Sequence, residues 1–199
     1  MRFVLALFFV LPCVGVSAAP AQVDYYARIG LSATTKLVQD RIIQDIEVRQ
    51  NLAPTLVVGA SLPIAALYRA GLEGTVTTAG FHSTEAGTDT DLGNLRTGSI
   101  TLGLGGPIWR TLGWRAGAGL ISYWPGDRSG IFLRGGSTRF LAGVGVDYRQ
   151  RVMPHWDFMA SLRYDFHRFT TDELVARGFN GTQGVQRISA TFGVARGSR

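Results

Sequence analysis

The chain has 199 residues, enough for one compact domain, and its 26 glycines are many for a helical protein. Nineteen arginines and one lysine against 14 acids give a formal charge of +6. The arginines are spread singly and no aromatic-plus-basic RNA signature accompanies them, so no nucleic-acid partner is expected.

The N-terminal stretch MRFVLALFFVLPCVGVSAAPAQ sets Arg2 before an apolar core from Phe3 to Val16, followed by small residues from Ser17 to Ala21. This is the layout of a cleaved secretory signal peptide over residues 1–21, with residues 22–199 as the mature domain. The only cysteine, Cys13, lies inside the apolar core, so the mature chain carries neither a disulfide framework nor thiolate chemistry. The apolar core is shorter than the ~20 residues of a spanning helix, and the best later run, Leu56 to Tyr68, contains Pro63. An exported chain of this kind can span a membrane only as a closed barrel.

Alternation with a period of two then recurs down the chain. The first strand, Asp24 to Thr34, turns Tyr25, Ala27, Ile29, Leu31 and Ala33 to one face and Tyr26, Arg28, Gly30 and Ser32 to the other. The second runs from Ile46 through Val48, Leu52, Leu56, Val58 and Ala60 to Leu62 on the apolar parity. Between them, residues 36–45 read as an extended hairpin; a short amphipathic helix is the alternative, since Val38, Ile42 and Ile46 also repeat at helical spacing. After a turn at Pro63 to Ala65, the third strand points Tyr68, Ala70, Leu72 and Val76 outward and Arg69, Glu73 and Thr75 inward. The polar residues 81–92 read as a long loop, and the fourth strand follows near Asn94 to Leu104.

A turn at Pro107 leads to the fifth strand, Leu112 to Trp124, with Trp114, Ala116, Ala118, Leu120 and Trp124 on one face. The loop PGDRSGIFLRGG precedes a hairpin over Ser137 to Phe169, the clearest signal in the chain. Phe140, Ala142, Val144, Val146 and Tyr148 share a face there, as do Trp156, Phe158, Ala160, Leu162, Tyr164 and Phe166. A last long loop, 170–182, leads to a strand near Val185 to Val194 that turns Ile188, Ala190, Phe192 and Val194 outward. Tyr25, Tyr68, Trp114, Trp124, Phe140, Tyr148, Trp156, Phe166 and Phe192 form the candidate aromatic girdle.

The count is eight strands, with long connections alternating with short ones. In this layout the mature chain resembles the small OmpA/OmpX-type outer-membrane barrels: all-β, eight-stranded, antiparallel, up-and-down and transmembrane. The resemblance implies short periplasmic turns, long surface loops and an interior filled by side chains. It also implies outer-membrane lipid, lipopolysaccharide and the outer-membrane assembly machinery as partners. Such barrels commonly end in an aromatic residue, whereas here Phe192 is followed by GVARGSR.

The inward charges are Arg28, Arg69, Glu73, Arg115, Arg139, Asp147, Arg149, Asp157, Arg163, Asp165 and Arg187. Buried charge must be paired or hydrated, so a rigid core of ion pairs and water with a positive balance is expected, against a narrow anion-favouring conduit. No catalytic residue, metal or cofactor is assigned. Two other functions stay open. A lipid A-modifying enzyme would draw on His82, Ser83 and Glu85 in one loop and on His167 with Asp165, but alternation separates His82 from Ser83. A soluble periplasmic lipocalin-like barrel would invert the faces and put the apolar set inside. Glu85, Asp89 and Asp91 miss the calcium-loop spacing and read as solvated, and His155 reads as a rim residue. The sequon at Asn180 and the GLGG stretch carry no signal in this context.

Overall fold

The computed structural model describes residues 23–40, 46–85, 87–126, 130–176, 178 and 182–196. The expected signal peptide with Cys13, residues 41–45 and Asn180 lie outside them. Alternating side chains make strands of the chain almost throughout: β1 (Asp24–Thr34), β2 (Val38–Asp40), β3 (Ile46–Gln50), β4 (Ala53–Pro63) and β5 (Arg69–Glu85). Then follow β6 (Thr88–Pro107), β7 (Leu112–Pro125), β8 (Ser137–Met153), β9 (Trp156–Phe169) and β10 (Gln183–Arg196). A 3-10 turn at Gly130–Phe132 and a short helix, α1 (Asp172–Ala176), sit in the last two long connections.

Every pairing is antiparallel. The order β1-β4-β5-β6-β7-β8-β9-β10 closes on itself through Ile29 opposite Phe192, giving an eight-stranded barrel. Closure leaves the eight barrel strands with no free edge along the ring. At one end, here the turn end, lie the start of β1, the end of β10 and the tight connections β4–β5, β6–β7 and β8–β9. The other is the loop end. There β3 prolongs the line of β4 and pairs with β5, while β2 adds to β3 with Val38 opposite Val48. That pairing is the extended hairpin expected for this stretch rather than the helix.

The faces fall as the alternation requires. Ile100 and Leu162 are 65% and 58% exposed on the outside, while Arg28 and Glu73 are 2% and 4% exposed inside. This is the inverse of a lipocalin-like interior.

Two expectations fail at the loop end. Residues 81–92 are not a loop: β5 and β6 run on as a hairpin to the pairing of Glu85 with Thr88, with a bulge between Gly80 and His82. Threonines and alternating acids are compatible with an exposed ribbon, and polarity alone had suggested a loop. The second strand is also broken. Between the pairs Gln50–Phe81 and Thr55–Thr77 the β3–β4 line advances five residues and β5 four, so one extra residue reverses the faces. Val48, expected outside with Leu56, is therefore fully buried.

Val48 belongs to an apolar cluster that fills the loop end: Leu37, Phe81, Leu95, Ile121, Tyr123, Ile131, Phe132, Leu141, Phe169, Leu174 and Val185 complete it. The long connections supply part of it. Ile131 and Phe132 come from the 3-10 turn and Leu174 from α1, and the two segments are tied by Thr171 Oγ1 donating to the Ile131 carbonyl at 2.6 Å. An Arg134–Glu173 ion pair at 3.3 Å adds a surface link.

Candidate functional site

Below this plug the lumen is polar, because each strand contributes every second side chain and those positions carry the charges. At the turn end, Asp24 accepts from Arg69 at 3.1 Å and from Arg149 at 2.8 Å. Asp157 accepts from Arg149 at 2.5 Å and from Arg151 at 3.3 Å. At mid-depth Glu73 is the hub. Arg28 from β1, Arg115 from β7 and Arg163 from β9 all donate to its carboxylate, and the Tyr26 hydroxyl donates at 3.1 Å. Asp147 takes Arg115 at 2.8 Å and Arg28 at 3.4 Å, and Asp165 takes Arg163 at 2.6 Å.

Tyr26 fits this crowded layer because its ring lies against Gly59 on the adjacent strand, where any Cβ would collide with it. The Arg28 and Arg115 guanidiniums stand 5.1 and 5.4 Å from the ring centroid, within cation–π range. Gly143 plays a similar part, since the Asp165 carboxylate occupies the place of its missing Cβ. Most other inward glycines, such as Gly30 and Gly119, instead face a neighbouring strand's carbonyl closely. Their small size serves the close approach of neighbouring strands.

Nearer the plug the pairing thins. Arg139 Nη2 donates to the Thr170 carbonyl at 2.8 Å and Arg187 Nη2 to Thr97 Oγ1 at 3.0 Å, neither being a carboxylate. His167, buried, meets the Tyr123 hydroxyl through Nε2. Toward the turn end, a vestibule of about 300 Å³ opens, floored by Arg115, Arg163 and Glu73 and rimmed by Leu67 and Trp109.

The structure thus brings nine of the eleven inward charges into ion pairs and leaves Arg139 and Arg187 on neutral acceptors. Sequence reasoning omitted Asp24, Tyr26 and Arg151 from the network. The signal was present: Asp24 and Tyr26 share the parity of Arg28, and Arg151 that of Arg149. Tyr123 was overlooked on the same parity as Arg115.

Among the girdle residues, Tyr25, Tyr68, Trp114, Tyr148 and Trp156 sit toward the turn end, with Tyr68 and Trp114 in an edge-to-face contact at 6.4 Å. Trp124, Phe140 and Phe166 sit toward the loop end, where the Trp124 ring covers Gly98 on β6. Phe192 lies opposite Ala160 and Ile29, four residues in from Arg196 and so inside the apolar band.

The residues of the enzymatic reading are not assembled. His82 contacts the Asn51 side-chain amide at 3.1 Å, while Ser83 is buried on the opposite face, and the Glu85 side chain lies outside the described set. His167 is engaged by Tyr123 inside the lumen. Asp89 accepts from Thr84 at 3.2 Å and Asp91 from the Gly93 amide at 2.8 Å, so both serve the hairpin. Among the described residues no group of three metal-ligating side chains is found. His155 sits in the two-residue β8–β9 turn with φ 68°, a left-handed conformation.

Similar solved structures share this architecture. Outer membrane protein OprG from Pseudomonas aeruginosa is 11% identical at a TM-score of 0.52, over 89% of this chain and 95% of that one. Neisserial surface protein A is 15% identical at a TM-score of 0.56, over 87% and 96%. Outer membrane protein AlkL, solved by solid-state NMR in lipid bilayers, is 13% identical at a TM-score of 0.52, over 92% and 94%. No protein-family model matches the chain, and no curated protein matches it. At this level of identity the likeness shows the fold: the chain shares the closed eight-stranded antiparallel β-barrel of these small outer-membrane proteins.

Proposed function

We propose that this chain works as an integral outer-membrane barrel with a structural or surface-interaction role, its turn end in the periplasm and its loop end at the cell surface. The single observation that carries this reading is the distribution of burial. At mid-depth the outward faces of the eight barrel strands are apolar and exposed, while nine of the eleven inward charges are held in ion pairs. In water such a surface would be an aggregation liability far beyond ordinary apolar patches; in a bilayer it is the required coat.

Delivery is by the signal peptide over residues 1–21, for which Arg2, the apolar core and the small residues before Gln22 speak. Insertion falls to the outer-membrane assembly machinery. Lipid and lipopolysaccharide are the surrounding partners, and Arg96, exposed and paired in register with Trp124 toward the loop end, is suited to a headgroup phosphate. Among the described residues twelve apolar side chains close the loop end, which supports a blind vestibule over an open channel.

Fractionation and a folding test decide the matter. The protein should require detergent for extraction and migrate differently before and after boiling; release by osmotic shock would reject the reading. Leu162→Arg, at mid-depth on the outward face, should lower folded protein in the membrane, since a lipid-facing arginine there costs about 2–4 kcal/mol. Wild-type levels of the folded variant would contradict the orientation of β9.

A further inference from the structure

Above the Glu73 hub the lumen contains a small chamber of about 10 Å³, the room of one water-sized particle. Eight serine and threonine side chains line it, among them Ser32, Thr55, Ser189 and Thr191. The charged lining residues do not balance: Arg28, Arg163 and Arg187 stand against Glu73 and Asp165, three against two. Extending the count to Arg115 and Asp147, which pair with the same groups, gives four against three and the same excess.

The unmatched cation is Arg187. It is 4% exposed, its guanidinium meets the hydroxyls of Thr97 and Tyr123 and no carboxylate within ion-pair distance, and its Nε has no partner. One cross-strand row explains why. Arg187 on β10 faces Asp165 on β9, which faces Gly143 on β8. Because Gly143 has no Cβ, the Asp165 carboxylate leans into that space, where it also accepts Arg163 Nε at 2.6 Å. It thereby turns from Arg187, and Glu73 is already taken by three guanidiniums. Asp165 stays close enough to act on Arg187 electrostatically but forms no contact ion pair with it, and a water molecule hydrates a buried guanidinium without neutralising it.

We propose that the chamber binds a single halide-sized monovalent anion, chloride under ordinary conditions, held by Arg187 and the surrounding hydroxyls. The chemistry is complementary on three counts: one excess positive charge, O–H and N–H donors on the walls, and a volume that excludes sulfate and phosphate. The chamber shares Glu73 and Arg163 with the vestibule, so the route for exchange runs from the turn end through the ion-pair layer.

Crystals of the folded protein grown in bromide should show an anomalous peak beside Arg187; ordered water there without anomalous signal overturns the proposal. In detergent at constant ionic strength, replacing gluconate by chloride should raise the unfolding midpoint to a plateau, and a flat response likewise overturns it. Arg187→Gln should abolish the chloride dependence. Should that variant fail to fold, Ser189→Asp provides a built-in carboxylate at the chamber wall. It should fold in gluconate with the midpoint the wild type reaches in chloride and ignore added halide; a response equal to that of the wild type refutes the assignment.

Discussion

At the loop end, Phe81 packs edge to face on Phe132 at 5.8 Å, Phe132 on Phe169 at 6.0 Å and Phe169 on Tyr123 at 5.1 Å. At the turn end the same barrel is held by Asp24 and Asp157 shared among Arg69, Arg149 and Arg151 around an open vestibule. The first region is apolar and is completed by side chains from the 3-10 turn and α1; the second is built almost wholly from strand positions. The difference teaches that one cylinder can be closed by two chemistries. Where loops are long enough to fold back, apolar burial closes it; where turns are tight, only alternate strand residues are available, and these make ion pairs.

The largest effect should come from the hub that separates the two regions. Glu73→Gln leaves Arg28, Arg115 and Arg163 around a neutral amide and should cost about 3–5 kcal/mol in urea unfolding, as expected when one partner of a buried charge cluster is removed. A change below about 1 kcal/mol would mean that water, not the carboxylate, holds these arginines.

Next in size, Phe132→Ala should cost about 3 kcal/mol, with faster hydrogen exchange confined to the loop end and unchanged protection in β8 and β9 at mid-depth. Exchange that rises evenly along the barrel would erase the distinction between the two regions. Planar bilayers should show no stable current for the wild type, because the vestibule ends beneath the plug; a large steady conductance would show that the plug does not seal.

Smaller still, Gly143→Ala puts a methyl where the Asp165 carboxylate sits and should cost about 1–2 kcal/mol through crowding. Gly71→Ala, whose nearest neighbour would stand at 3.3 Å, should cost clearly less in the same assay. The least effect is expected at the turn itself. His155→Gly removes a side chain from a left-handed conformation and should stabilise by about 1 kcal/mol or less, with no change at the loop end.

The barrel was legible in the sequence wherever membrane and lumen impose opposite solvents on adjacent residues. That is why the parity of β1 and of β4 to β10 could be read, and why Arg28, Glu73 and Arg163 could be assigned inward without knowing their partners. The loop end was not legible because it lies beyond that constraint. An extra residue in the β3–β4 line reverses Val48, and nothing in the local composition of residues 46–56 marks where the bulge falls. The ribbon at residues 81–92 is strand by pairing with β3 as well as within itself, a long-range cause that polar residues do not advertise. The imbalance around Arg187 was visible as a count of charges, but only the geometry of Asp165 over Gly143 identifies which chamber cation lacks a contact carboxylate.

The Glu73 cluster also bears on the order of assembly. Its members come from β5, β1, β7 and β9, and none of the three arginine-bearing strands is the neighbour of another. A flat, open sheet holds these groups apart, each one desolvated or hydrated separately, and they converge only as the curl brings β1 to β10. Arg163–Asp165, Arg115–Asp147 and Arg149–Asp157 join groups on one strand or on adjacent strands, so it is the Glu73 cluster alone that waits for closure. An incompletely rolled sheet leaves the Glu73 carboxylate and its three arginines unmatched, a cost that favours the closed barrel over a half-rolled one.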